Sequence, residues 1–365
     1  MKILFVVEHY HPFIGGAETL FKTLAEGLVK KGHDVTVITS SLPNTKKTEE
    51  LNGVLIYRVA VPQFGRRYWF TFLSDLDVLW FAKRADIIQT TTYNGAWPAW
   101  FASKVLNKPC VITVHEVLGE TWDLIQSPIV AVSHKFAERA ILKLGFDKYV
   151  AVSNSTKRDI QRCGVDYQKV QTIYNGVDYQ HFKPCEPSKK RDKFTYAYFG
   201  RYGITKGVNY LVKAAGLVNE QIPNSECHIY TKGFLFSNDF KRLFNGGYLS
   251  NSSVKICQPV DYSELPSTMA SMDCIVIPSL SEGFGYTAAE ACAVGAPVVA
   301  TCVGSLPEVV SGKHVFCVPR DPRSLAEAIV KVYKGEYSSS PLKRFEWNDC
   351  VNQYEQLYQD LICGR

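Results

Sequence analysis

No Cys-x-x-Cys pair occurs among the 11 cysteines, an odd number scattered along the chain. Zinc-ribbon and thioredoxin-type motifs are thereby excluded. Cys110, Cys274, Cys292 and Cys302 sit in apolar runs, so reduced thiols used as small hydrophobes are expected. Long hydrophobic runs are missing too, since none approaches the ~18 apolar residues of a spanning helix. The apolar start at residues 3–7 meets Glu8 too soon for a signal sequence. A cytoplasmic protein is expected, at most peripheral at the inner face of the membrane, and the sequons at Asn154 and Asn251 are read as coincidental. Strong charge of one sign is absent. A net charge of +6 suits an anionic substrate or weak contact with acidic lipid, and no nucleic-acid partner is expected.

What is present is a globular composition, 46% hydrophobic and 21% charged over 365 residues. That length suggests roughly two domains. Apolar runs at residues 3–7, 35–39, 54–61, 86–89, 110–114, 149–152 and 170–173 alternate with helical patterns. Short apolar runs separated by helices predict a parallel sheet with right-handed crossovers. After a proline- and charge-rich stretch near 178–193, the same grammar restarts with strands at 194–199, 228–230, 254–257, 274–277 and 315–318. Two doubly wound α/β domains follow, residues 1–180 and 181–345, with a last helix at about 346–365 packing back on the first. Residues 63–80 read as one amphipathic helix. Its Arg66-Arg67-Tyr68-Trp69-Phe70 start could meet a membrane or an acceptor. Packing of its aromatics on the core is the preferred reading. Ser155 or Thr156 is the expected N-cap of the helix at 157–163.

The chemistry-bearing stretch is residues 278–299, where an apolar strand runs into Glu282-Gly283-Phe284-Gly285 and then a small-residue helix containing Tyr286, Thr287 and Glu290. A strand, a glycine turn and a helix N-terminus together favour an anion. Two carboxylates beside such a site suit sugar hydroxyls better than phosphate. Thr287-Ala-Ala-Glu290 also matches a capping box, in which Glu290 would only bond back to its own helix. A second loop, Gly200-Arg201-Tyr202-Gly203-Ile204-Thr205-Lys206-Gly207, lacks the Walker A ending but sets two cations before a helix. Two fixed cations there suit a diphosphate. Gly15-Gly16 follows the first strand without forming a dinucleotide fingerprint, and either a ligand-contacting loop or a simple turn fits it. His115 ends its strand, where a parallel sheet presents residues to a ligand crevice. A structural histidine fits equally. His9 and His11 have no third ligand near in sequence, and no metal site is assigned.

Taken in order, these motifs resemble the family 4 glycosyltransferases of GT-B fold, retaining enzymes that use nucleotide-sugars. The resemblance spans nearly the whole chain: Gly15-Gly16-Ala17-Glu18, His115, Asn175-Gly176-Val177-Asp178, Gly200-Arg201 with Lys206-Gly207, Glu282-Gly-Phe-Gly with Glu290, Gly304 with Pro307-Glu308, and Phe345 with Trp347. It implies two Rossmann-like domains facing each other across a donor/acceptor cleft. It also implies that Arg201 and Lys206 clamp the donor diphosphate in place of a metal, with amides at Phe284, Gly285 and Tyr286 assisting. Glu290 would bind the ribose, Glu282 the transferred sugar, and His115 would sit near that sugar. Gly15 and Gly16 would approach the diphosphate, while Gly283, Thr287 and Val260 would complete the donor site. No cofactor is implied. The expected partners are a UDP- or GDP-sugar and a lipid-linked or glycan acceptor. Two departures from the family pattern, Lys255 to Val260 near the base and the Tyr286-Thr287 pair, leave base and sugar open. The alternatives are another GT-B activity, such as an epimerase or disaccharide synthase, and a nucleotide-sugar-binding subunit without catalysis.

Overall fold

The computed structural model of the chain describes residues 1–62, 64–186, 192–232, 241, 246 and 253–364. Part of the charged stretch read as a linker, residues 187–191, lies outside the described residues. The chain divides into two compact units. One holds Met1–Gly119, Ile129–Gly176 and Phe345–Arg365; the other holds Glu120–Pro128 and Val177–Arg344.

The first unit is built on β1 (Lys2–Val6), β2 (Asp34–Ser40), β3 (Thr48–Leu51), β4 (Val54–Val59), β5 (Ile87–Thr91), β6 (Cys110–Val114), β7 (Lys148–Ala151) and β8 (Val170–Thr172). Their order is β3-β4-β2-β1-β5-β6-β7-β8. Every pairing is parallel except that of β3 with β4. The central strands are rich in apolar residues because helices cover both faces, and β6 is buried along its whole length. Strand order reverses between β1 and β5, and a crevice opens at the carboxyl ends of strands at such a point.

The C-terminal helix, Trp347–Cys363, belongs to this unit. Gly27 on the helix Gly16–Lys30 permits its close approach, since a Cβ there would lie 2.7 Å from Val351 Cγ2. Its buried tyrosines reach polar groups inside the sheet. Tyr358 donates to Gln89 Oε1 at 2.8 Å, and the Tyr354 hydroxyl meets Thr113 Oγ1 at 2.8 Å. Gly176 is pressed on Trp347, with a Cβ there 2.3 Å from Trp347 Cδ2, and Tyr174 packs on Phe345 at 5.2 Å. The Asn-Gly turn and the aromatic-Trp pair, far apart in sequence, are thus two halves of one contact.

Two local expectations need correction. Residues 63–80 are not one helix but two, Arg66–Leu73 and Asp75–Ala82. Ser74 breaks the run by donating its hydroxyl to Phe70 O at 2.7 Å. Asp75 and Asp77 then favour a new helix start. The aromatics of this stretch pack on the core only in part: Phe70 is buried in it, but Tyr68 is 63% and Phe72 67% exposed. The N-cap before Lys157 is Ser153, whose extended backbone lets its Oγ accept from Thr156 N at 3.1 Å.

The second unit carries β9 (Thr195–Phe199), β10 (Glu226–Tyr230), β11 (Val254–Cys257), β12 (Cys274–Ile277), β13 (Val298–Thr301), β14 (Gly312–Cys317) and β15 (Ser338–Ser340). The order is β11-β10-β9-β12-β13-β14-β15, parallel except for β15. Its switch point lies between β9 and β12.

Candidate functional site

At that switch point the chain leaves β9 and β12 through the two loops that carry most of the candidate residues. Gly200 follows β9 with φ 157°, and a Cβ there would lie 2.7 Å from the Tyr198 hydroxyl. That hydroxyl donates to Arg201 O at 2.9 Å, so the buried strand tyrosine holds the loop that bears the exposed Arg201. A 3-10 turn, Ile204–Lys206, then presents Lys206 before the helix Val208–Gln221. Gly207 links turn and helix at φ 66°. A side chain there would place its Cβ 1.9 Å from Pro278 O. Leu280 N donates to Thr205 O at 2.6 Å and joins this loop to the one after β12.

Glu282 is fixed at both ends. Its carbonyl accepts from Ser305 N at 3.1 Å, and Gly304, at φ 52°, would set a Cβ 2.2 Å from the same oxygen. Its carboxylate Oε1 accepts from Lys206 Nζ at 2.6 Å and from Ser279 Oγ at 2.9 Å. Ser279 is placed in turn by Thr301, which donates to its carbonyl at 2.6 Å. Residues 201, 206 and 282, 76 positions apart in the Lys206–Glu282 case, are therefore brought to one edge of one sheet.

Gly283, Phe284 and Gly285 are buried. Gly285, at φ 86°, is the N-cap of the helix Tyr286–Ala293, so Thr287 is already inside the helix. A capping box would need Thr287 at the cap itself. The capping role for Glu290 is thereby excluded, and the Glu290 carboxylate has no hydrogen bond to a described residue. Burial pushes its pKa up to about 7. The Tyr262 phenol is raised to about 12 by burial and then by the charges of Asp178 and Glu290. Val260, two residues before Tyr262, is half-buried.

The other three candidates lie in the first unit, at the carboxyl ends of its strands. Gly15 caps the helix Gly16–Lys30 and accepts from Thr19 N at 2.9 Å. Its φ of −173° is extended backbone, so conformation alone does not demand glycine there. His115 follows β6 with its ring edge-on to Phe21 at 5.9 Å. Burial lowers its pKa to about 4, and its Nε2 is buried without a hydrogen bond to a described residue. A neutral imidazole with an unanswered nitrogen fits a ligand-facing residue better than a structural one. His9, at the end of β1, pairs with Glu8 at 3.0 Å.

Sequence reading missed the residues that hold these groups in place. Glu138, buried on the helix Pro128–Leu142, accepts from Tyr93 hydroxyl at 2.8 Å and from the backbone N–H groups of Leu118 and Gly119 at 2.9 Å. It thereby fixes the loop after His115. Glu8 accepts from Asn94 Nδ2 at 2.6 Å across the β1–β5 switch point. Position at a strand's carboxyl end was the signal that could have singled out Glu8 and Ser279. The segment Glu120–Pro128 was missed as well; its short helix Trp122–Ile125 packs on the Ile204–Lys206 turn of the second unit.

Residues 14–181 match the model of Glycosyltransferase Family 4, and residues 193–335 that of Glycosyl transferases group 1. An uncharacterized glycosyltransferase of Methanocaldococcus jannaschii is 26% identical over 98% of each chain. The phosphatidylinositol N-acetylglucosaminyltransferase GPI3 subunit of Saccharomyces cerevisiae is 23% identical, over 99% of this chain and 83% of its own length. Among solved structures, sucrose-phosphate synthase from Thermosynechococcus elongatus superposes with a TM-score of 0.82 at 22% identity, covering 100% of this chain and 99% of the other. Anabaena HepE in complex with UDP and glucose does so with a TM-score of 0.76 at 19% identity, covering 98% and 99%. The two family models fall one on each Rossmann-like sheet, and the chain belongs to the group 1, family 4 glycosyltransferases of GT-B fold.

Proposed function

We propose that the chain is a retaining glycosyltransferase. It moves a hexose-type sugar from a UDP- or GDP-sugar to a lipid-linked or glycan acceptor and needs no metal ion. The observation that carries this reading is the fixing of Lys206, Ser279 and Glu282 beside the exposed Arg201 at the switch point of the second sheet. Arg201 and Lys206 would neutralise the departing diphosphate, the part a metal plays elsewhere. The N-terminus of the helix Tyr286–Ala293 adds its dipole to that task. Glu290, its carboxylate held without a hydrogen-bond partner among the described residues, would accept the ribose hydroxyls, and Glu282 those of the transferred sugar. Val260, Gly283, Phe284, Gly285, Tyr286 and Thr287 would complete the donor site. The roles that the family resemblance gives Gly15, Gly16 and His115 stand as proposals of the same kind, each open to test by substitution.

In the transfer, the bond from the sugar's anomeric carbon to the diphosphate oxygen breaks. A bond to the acceptor oxygen forms on the same face, and the acceptor's proton passes to the leaving phosphate. Positive charge grows on the sugar and negative charge on the phosphate, so the cations act most in the transition state. Relatives named for phosphatidylinositol and solved neighbours holding UDP or UDP-glucose favour a UDP-sugar and a lipid acceptor.

A thermal-shift screen across UDP- and GDP-sugars, followed by assay of nucleotide release with lipid and glycan acceptors, tests the reading. Stabilisation by one donor series, release that persists in EDTA, and a product of unchanged anomeric configuration are expected. An inverted product or loss of release in EDTA would overturn the corresponding part. Binding without release over the whole acceptor panel would favour a donor-binding subunit.

A further inference from the structure

The paired helices Arg66–Leu73 and Asp75–Ala82 carry a surface that the donor site does not use. Phe64 is 76% exposed, Phe72 67%, Leu76 81% and Trp80 51%, with Tyr68, Trp69 and Leu73 exposed beside them. All of these residues fall within 17 consecutive positions. A globular protein rarely leaves so many large apolar groups together in water unless they meet something.

Charge on this surface is sorted. Both acids of the second helix are engaged inward: Asp77 accepts from the Tyr57 hydroxyl at 3.1 Å, and Asp75 is half-buried and hydrogen-bonded to Trp97, its pKa raised by burial and lowered in part by that bond. The bases stand at the two ends of the hairpin in sequence, Arg66-Arg67 where it begins and the exposed Lys83-Arg84 where it closes. Arg84 lies over the Trp80 ring at 4.6 Å, so one of these cations sits on the apolar surface itself. Tryptophan and tyrosine amid leucine and phenylalanine, bordered by bases with the acids withdrawn, is the composition that seats in a bilayer interface. Among the described residues no helix is long and apolar enough to cross a membrane, so attachment at the surface is the mode open to these helices.

We infer that this helical pair is a membrane-docking surface whose partner is an anionic lipid bilayer. The apolar groups enter the headgroup region while the bordering bases, Lys83 and Arg84 among them, meet the lipid charge. The inference rests on the composition of these helices and not on the identity of the sugar or acceptor. Its failure would leave the proposed transfer untouched.

Co-sedimentation of the full chain with vesicles of phosphatidylglycerol and phosphatidylcholine, beside vesicles of phosphatidylcholine alone, provides the test. The wild-type chain should partition onto the anionic vesicles and be released by salt. F72S/L76S, which alters exposed positions, should lower partitioning by about tenfold or more, since each such apolar side chain gains by leaving water for the bilayer. K83E/R84E should lose the preference for anionic lipid while keeping the wild-type melting curve. Wild-type partitioning in both variants, or no binding of the wild type to either vesicle, would overturn the inference. So would a dimer by light scattering that F72S/L76S converts to monomer without any vesicle binding, since a second copy would then own the surface.

Discussion

Lys206 Nζ stands 2.6 Å from Glu282 Oε1, and Ser279 Oγ reaches the same oxygen from 2.9 Å. The lysine is 36% exposed, so the pair contributes at most about 1 kcal/mol to stability. Its consequence is positional. Glu282→Gln should leave the melting temperature within a few degrees of wild type. It should cut transfer by about a hundredfold or more, with kcat falling further than KM rises. Calorimetric titration should find bare UDP or GDP bound as by the wild type and the nucleotide-sugar bound more weakly. An equal loss for both ligands would assign Glu282 to the nucleotide instead.

Glu290 links the site to pH. Its folded pKa is raised by burial from 4.5 to about 7. Between those values the folded state holds more protons than the unfolded chain, so this group's contribution to stability falls as pH rises through the window. Glu290→Gln should therefore gain in melting temperature relative to wild type between about pH 5 and pH 8. A carboxylate that receives ribose hydroxyls is favoured in its charged form. Wild-type affinity for the nucleotide-sugar should accordingly rise across the same window, and the rise should vanish in Glu290→Gln. Paired melting curves and titrations at several pH values provide the check.

His115 has the opposite sign. Burial lowers its pKa from 6.5 to about 4. The unfolded chain takes up a proton in that interval before the folded one does, so stability is lost as pH falls through it. The loss should be shallower in His115→Gln. Turnover should show no step from this histidine above about pH 5, because the ring is already neutral there. A wild-type acid limb unchanged in the variant would contradict the assignment.

Gly304 and Gly207 hold the site by having no side chain. Gly304→Ala would require φ 52° and a Cβ 2.2 Å from Glu282 O. Gly207→Ala would require φ 66° and a Cβ 1.9 Å from Pro278 O. Each should cost more than about 1 kcal/mol, from left-handed backbone alone, before the clash is counted. Both should weaken donor binding, since the displaced backbone carries Glu282 in one case and Lys206 in the other. Gly295→Ala, at φ 83° but with open space around its Cβ, is the control for strain without displacement, and donor affinity should survive there.

The alternation of strands and helices was legible because a strand buried on both faces reads as an unbroken apolar run, as in Cys274–Ile277. The edge strand β3, Thr-Glu-Glu-Leu, carries no such run, though Asn52-Gly53 before β4 is a hairpin turn signal. The exposed aromatics at 68–72 were misjudged for a different reason. Helical spacing defines a face but not whether that face meets core or solvent, and only tertiary packing settles it. Glu290 shows how one register shift decides between readings: Gly285 takes the cap, so Thr287 cannot. Arg201, Lys206 and Glu282 could be picked from loops before helices, yet their meeting depends on β9 and β12 being neighbours. Periodicity along the chain carries no strand order. Glu138, a helix residue that fixes the loop after His115, left no signal in sequence at all, since its partners are two backbone N–H groups and a tyrosine 45 positions away.

The most direct test of the account is nucleotide release from the donor selected by thermal shift, measured for wild type and Lys206→Ala in EDTA at neutral pH. Removing one positioned charge from the leaving group should lower turnover by about two or more orders of magnitude while the fold melts close to wild type. Release by Lys206→Ala at the wild-type rate would contradict the claim that this lysine bears the charge of the departing diphosphate.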